Sequence, residues 1–202
     1  MSLRSSLRRG VLRGALALSL LPLLAACGNS GPEFKGSDIT GTKLGKDMAL
    51  VDTAGQPRTL ADYDGKVKVV FFGFTQCPDV CPTALAEMAQ VMQKLGPDAD
   101  KVQVIMVTVD PERDTPEVLR EYVGAFDKRF VGLTGNAEQI KQTASSFKVY
   151  YAKSPRADGD YSMDHTAAFY LLDAKGESRV LLNNTAGVDV LTHDIKALVD
   201  LG

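Results

Sequence analysis

Two cysteines four positions apart, Cys77 and Cys81, are the residues best suited to chemistry in this chain. They follow the apolar run Val69 to Phe74, whose β-branched and aromatic residues read as a strand buried on both faces. Behind them, Thr83 to Leu95 carries strong helix formers with apolar positions at helical spacing. The dithiol therefore falls where a buried strand ends and a helix begins. The unpaired N–H groups and partial positive charge of a helix N-terminus lower a thiol's pKa. They favour the thiolate, which is both the nucleophile and the metal ligand. If the segment is one helical turn, a rise of about 1.5 Å per residue puts the two Cα atoms roughly 6 Å apart on one face. That separation permits a disulfide and also lets two thiolates converge on one ion. A structural disulfide or buried free thiols, a redox couple and part of a metal site all remain open. The loop closed by the pair is too short to restrict the unfolded chain much, which weighs against a structural staple.

Thiolates are soft ligands that select copper(I) or zinc, and a third donor is needed. Imidazole is the natural one, and the chain has two histidines. His165 precedes the apolar run Ala167 to Leu172. If that run pairs beside the central strand, His165 reaches the same sheet edge as the dithiol. His193 lies between Leu191 and Ile195 in the last helical pattern and reads as solvated or capping. Met163, although a thioether, reads as core. Asp79 has two readings: a carboxylate that raises the thiol pKa values and tunes metal release, or an acid at a helix N-terminus. The stretch Asp110 to Pro116, with three acids and one arginine, reads as a structural turn with internal hydrogen bonds.

The elements that must position these groups follow in order. Met48 to Asp52 and Arg58 to Leu60 flank a turn and predict an N-terminal hairpin. After the central strand and its helix, Gly96-Pro97 is a stop signal. Val102 to Val109 is a second buried strand. Thr115-Pro116 fits an N-cap and first helical position, with a helix to about Phe126. Phe130 to Leu133 is a short strand, and Asn136 caps a helix from Ala137 to about Phe147. Val149 to Ala152 and Tyr161 to Asp164 flank a polar turn. Ala167 to Leu172 and Arg179 to Leu182 flank a turn at Asp173 to Gly176, and a last helix covers Val188 to Leu201. Buried strands joined by a helix imply a parallel βαβ unit. With the later antiparallel hairpin, the pattern predicts an α/β, thioredoxin-like mixed β-sheet with helices on both faces in a single domain, residues 39–202.

The first 26 residues do not belong to that domain. Arg4, Arg8, Arg9 and Arg13 form a basic region without acids, and Ala15 to Leu24 is a short apolar stretch, as in a secretory signal. It is too short for a membrane span. Its end, Leu24-Ala25-Ala26-Cys27, resembles the lipobox of bacterial lipoproteins. That resemblance implies cleavage before Cys27, lipidation of Cys27, and an exported, lipid-anchored protein facing the periplasm or the cell exterior. Arg8-Arg9 faintly resembles a twin-arginine export signal. Residues 27–38 read as a flexible tether. Loss of the leader removes four of the 23 basic residues and no acid, leaving 19 against 25 acids, net −6. That balance disfavours nucleic acid as a partner.

Three separated stretches then resemble one family. They are Gly73-Phe74-Thr75-Gln76-Cys77-Pro78-Asp79-Val80-Cys81-Pro82-Thr83, Val109-Asp110-Pro111-Glu112-Arg113-Asp114-Thr115-Pro116 and Asp164-His165-Thr166. Together they resemble the Sco/SenC copper-binding, thioredoxin-like proteins. The resemblance implies one copper ion bound through Cys77, Cys81 and His165. It also implies a role in maturing the dinuclear copper site of cytochrome c oxidase subunit II, as copper donor, as thiol reductant of that site, or as both. Further partners would be a protein that supplies copper and one that supplies thiol reducing power. Two other functions compete. An exported thiol–disulfide oxidoreductase acting on protein clients needs only the redox pair Cys77 and Cys81. Val80-Cys81-Pro82-Thr83 also echoes a peroxiredoxin site, which places a threonine three residues before its nucleophile; here Pro78 stands there.

Overall fold

Two runs of seven residues, Val67–Gly73 and Val102–Thr108, are buried along their whole length and form the middle of a sheet. The structure, a computed structural model, describes residues 31–202. The signal, twin-arginine and lipidation readings, Cys27 included, lie outside the described residues. The strands are β1 (Ser37–Asp38), β2 (Leu50–Asp52), β3 (Pro57–Arg58), β4 (Val67–Gly73), β5 (Val102–Thr108), β6 (Val131–Thr134), β7 (Tyr151–Pro155), β8 (Tyr161–His165), β9 (Ala168–Leu172) and β10 (Ser178–Asn183). The α-helices are α1 (Val80–Leu95), α2 (Pro116–Gly124), α3 (Ala137–Phe147) and α4 (Val188–Val199).

Eight strands make one mixed sheet in the order β1-β10-β9-β4-β5-β6-β2-β3. β4, β5 and β6 run parallel, as strands joined through helices must. β9 returns antiparallel beside β4, with Phe71 opposite Phe169. The condition set by the sequence is therefore met: the strand after His165 lies next to the strand before Cys77.

Alternation along β4 assigns the layers. Gly73 and Phe71 face α1, because a Cβ on Gly73 would sit 3.1 Å from the Cys81 sulfur. α4 packs on α1. α2 covers the same face, with Leu119 seated over Gly132 of β6. Phe72 faces the other way and meets Phe147 of α3, ring centroids 5.3 Å apart; Phe147 also meets Tyr170 at 5.2 Å. Helices thus cover both faces, and the fold is thioredoxin-like.

Several boundaries differ from the pattern in the sequence. α1 starts at Val80, three residues before Thr83, so Cys81 lies inside its first turn. Pro82 is compatible with that turn because first-turn N–H groups have no partner within the helix. Val149 does not open a strand. Lys148 adopts the left-handed conformation (φ 60°), and the Val149 N–H donates to the Ala144 carbonyl, closing α3. The strand begins at Tyr151 instead, and β7 and β8 pair as a separate two-stranded ribbon. α2 stops at Gly124, two residues short of Phe126.

The end of the predicted tether is held by the domain. Ser37 and Asp38 pair with Leu181 and Val180, and the N–H groups of Lys35 and Gly36 donate to the buried Asp194 carboxylate at 2.9 and 2.8 Å. Among the described residues no helix is long and apolar enough to cross a membrane.

Candidate metal centre

The loop between β4 and α1 carries the cysteines. Both are free thiols; Cys81 is buried and Cys77 half-buried. Asp79 occupies the N-cap position of α1, but its side chain makes no capping hydrogen bond. The Cys77 sulfur acts there instead, accepting the Cys81 N–H at 3.4 Å. One of the helix's unpaired amides is thereby aimed at a sulfur. Asp79 accepts only a long hydrogen bond from the Thr83 hydroxyl, 3.5 Å. Its placement is that of an acid at a helix N-terminus.

His165 ends β8 and brings its Nε2 to 3.7 Å from the Cys81 sulfur. Its Nδ1 lies 3.1 Å from the Thr166 carbonyl oxygen, which can only accept, so Nδ1 carries the proton. In the neutral ring, Nε2 then has its lone pair toward Cys81, the usual way a second hydrogen bond orients a ligating imidazole. Phe71 and Phe74 stand edge-on to the ring at centroid distances of 6.3 and 5.9 Å. They restrict its orientation, and burial lowers the pKa of His165.

The electrostatics of Cys81 depart from the helix-mouth expectation. Burial pushes its thiol pKa up, and this outweighs a backbone hydrogen bond at Phe74 that acts the other way. The expectation weighed the dipole and missed the depth: a sulfur this far inside loses the hydration that stabilises a thiolate.

Two loops hold the geometry. Asp114, itself buried, accepts the Thr75 N–H at 3.1 Å, the Thr75 hydroxyl at 2.6 Å and the Thr108 hydroxyl at 2.6 Å. This ties the cysteine loop to the segment after β5. Asp110 accepts the Tyr161 hydroxyl at 2.9 Å, and Arg113 stacks 3.7 Å over the Tyr161 ring while donating to the Tyr161 carbonyl at 2.8 Å. The ribbon that ends in His165 is anchored to the same segment. The Asp110 to Pro116 stretch does contain the internal hydrogen bonds predicted for it, such as Arg113 to Asp110. Its reach across to Thr75 and Tyr161 left no periodic signal in the sequence. Gly73 did leave one, since a glycine inside a buried strand marks a close approach.

The other candidates lie elsewhere. His193 is on α4, bonded to Asp194. Met163 is buried in the core, as its pattern predicted. Cys81 and His165 face one another, while the Cys77 sulfur is turned back to the helix amide. Among the described residues, no three such donors are already drawn around a single point.

Comparisons with known proteins show the family of the chain. The mouse mitochondrial protein SCO2 homolog is 44% identical over 133 residues, which cover 64% of this chain. The match takes in 52% of the mouse protein, so the chain spans about half the length of that relative. The structure of Bradyrhizobium japonicum ScoI with copper bound is 39% identical, with a TM-score of 0.69, covering 81% of this chain and 98% of that one. BsSco, described with a disulfide switch as a member of the Sco family of cytochrome c oxidase assembly proteins, is 26% identical with a TM-score of 0.63. That likeness covers 81% of this chain and 98% of BsSco. The model of the SCO1/SenC family matches residues 37–200, and the chain belongs to that family.

Proposed function

We propose that this protein is a copper metallochaperone whose cargo is held by Cys77, Cys81 and His165. The observation that carries the reading is the 3.7 Å approach of the Cys81 sulfur to His165 Nε2. A thiolate and an imidazole bound to a d10 ion at about 2.3 and 2.0 Å, 120° apart, stand about 3.7 Å from each other. Cys77 is half-buried at the loop surface, and rotation about its Cα–Cβ bond would release the Cys81 amide and offer the sulfur as third donor. Two thiolates and an imidazole form a soft donor set suited to copper(I). The copper-bound ScoI structure supports the choice of metal.

In this reading the client is the dinuclear copper site of cytochrome c oxidase subunit II, and the protein delivers copper to it, reduces its cysteines, or does both. Cys27 carries the lipid that anchors the domain to a membrane on the periplasmic side, with residues 28–32 as tether. X-ray absorption of the copper(I)-loaded protein tests the ligand set. Two sulfurs and one nitrogen per copper are expected; an all-sulfur or all-oxygen shell refutes it.

A second reading has one observation in its favour. The sulfurs differ in exposure, Cys77 at the surface and Cys81 behind it, as in a dithiol with an attacking and a resolving thiol. An exported thiol–disulfide oxidoreductase would use that asymmetry without copper. A His165→Ala variant that still reduces a disulfide client at the parent rate, with copper absent, favours this second function.

A further inference from the structure

The ribbon of β7 and β8 departs from regular pairing at the residue after His165. Tyr151 stands opposite His165, so the next pair along is Tyr150 with Thr166. In an antiparallel ladder every second pair exchanges two N–H to carbonyl bonds. Arg156 and Asp160 belong to that set at the far end, where the Arg156 N–H donates to the Asp160 carbonyl at 2.8 Å. Counting by twos, Tyr150 and Thr166 belong to it as well. One of their bonds is regular: the Thr166 N–H donates to the Tyr150 carbonyl at 2.9 Å. The reciprocal bond is not. The Tyr150 N–H donates to the Thr166 hydroxyl at 3.1 Å, in place of the Thr166 carbonyl.

The displaced carbonyl has another partner, the Nδ1–H of His165 at 3.1 Å. The following carbonyl, that of Ala167, accepts the Asn184 N–H at 3.3 Å. The link between β8 and β9 is thus tied to the ribbon on one side and to the sheet on the other. Serine and threonine carry a hydroxyl oxygen on Cβ, close enough to stand in for the residue's own carbonyl. Here that hydroxyl takes over a ladder bond and releases a backbone carbonyl for the imidazole.

We propose that Thr166 is a positioning residue for His165: its hydroxyl occupies the Tyr150 N–H, so that its carbonyl holds the proton on Nδ1 and Nε2 is left bare toward the Cys81 sulfur, 3.7 Å away. Without the hydroxyl, the Tyr150 N–H competes for the carbonyl. The ring is then free to turn, or to carry its proton on Nε2, where it cannot ligate. The inference deepens the copper reading, since it concerns how one ligand is aimed, and it rests on that reading for its effect on metal affinity.

The test begins with reduced, metal-free protein. Nitrogen NMR of isotopically labelled imidazoles at mildly alkaline pH reports which ring nitrogen carries the proton. The His165 signals are identified by their loss in His165→Ala. Parent protein and Thr166→Ser should both show His165 protonated at Nδ1. Thr166→Val, which keeps the shape without the acceptor, should move the proton largely to Nε2. A merely structural role would lower stability without moving that proton. Copper(I) affinity, by competition with a chelator, should stay at the parent level in Thr166→Ser. It should fall about tenfold in Thr166→Val, as when a ligating histidine loses its outer hydrogen bond. An unchanged Nδ1 signature in Thr166→Val overturns the proposal. So does loss of that signature in Thr166→Ser, which would assign the effect to the methyl group. If the proton moves as expected while His165→Ala binds copper at full strength, His165 is no ligand; the copper reading then fails and the positioning of the ring by Thr166 stands.

Discussion

The Asp114 carboxylate accepts both the backbone N–H and the hydroxyl of Thr75, so the loop bearing Cys77 hangs from the segment that follows β5. Thr108, at the end of β5, donates to the same carboxylate. Two neighbouring strand ends and the mouth of α1 are thereby held by one buried side chain.

Removing that side chain should loosen the site and carry a defined pH signature. Asp114→Ala leaves the Thr75 and Thr108 donors unpaired, a loss of about 1–3 kcal/mol in unfolding free energy. Burial raises the Asp114 pKa, so the folded protein holds this proton more tightly than the unfolded chain. The resulting stability is complete below the ordinary aspartate value of 3.8 and is lost as pH rises through the raised folded value. In urea titrations of metal-free protein, the gap between parent and variant should narrow across that window as pH rises. A widening gap contradicts the assignment.

Gly73 makes room for the Cys81 sulfur. A Cβ there would lie 2.8 Å from Phe71 Cε1 and 3.1 Å from that sulfur, both inside the core. Gly73→Ala should cost about 1–3 kcal/mol by overpacking and also displace Cys81. Gly132→Ala, which meets Leu119 at 2.5 Å away from the dithiol, is the matched control. Copper affinity measured by competition with a chelator should drop only for Gly73→Ala. Equal losses in both variants would reduce Gly73 to a packing residue.

Much of this was legible in the sequence, and what was not has a physical reason. β4 and β5 announced themselves as apolar runs, and the cap signals Thr115-Pro116 and Asn136 placed α2 and α3 correctly at their starts. Cys77, Cys81 and His165 were selected by residue chemistry, and β9 beside β4 brings them to one edge. The early start of α1 was hidden because Pro82 reads as a breaker, although a first turn tolerates it. Lys68 stands just ahead of the apolar run Val69 to Phe74, and a lysine there carries no sign of burial. It lies inside β4, fully buried, its Nζ 3.0 Å from Asp64 Oδ1 and from the Ala174 carbonyl. Long-range pairs such as Asp114 with Thr75 have no local pattern, since they depend on where two loops meet.

Arg113 and Tyr161 hold the His165 ribbon. Arg113→Ala removes the stacking contact and the bond to the Tyr161 carbonyl. The sheet should remain intact while amide exchange in β7 and β8 speeds up and copper affinity falls about tenfold, roughly 1.4 kcal/mol. Hydrogen-exchange mass spectrometry resolves the two regions. Faster exchange spread evenly over the sheet would show that Arg113 supports the whole fold.

Asp194 sets where the chain enters the domain. Asp194→Ala should release Lys35 and Gly36, exposing residues 33–38 to limited proteolysis while copper binding stays at the parent level. Intact protection of that segment would mean that the pairing of β1 with β10 suffices to hold it.

The central claim is that Cys77, Cys81 and His165 act as one copper site. Anaerobic copper(I) titration of the protein from Gly28 onward, against a chromophoric chelator, tests it most directly. One tightly bound copper per chain is predicted, abolished by Cys77→Ser and by Cys81→Ser and weakened at least tenfold by His165→Ala. Full-strength binding of one copper in all three variants would contradict the account.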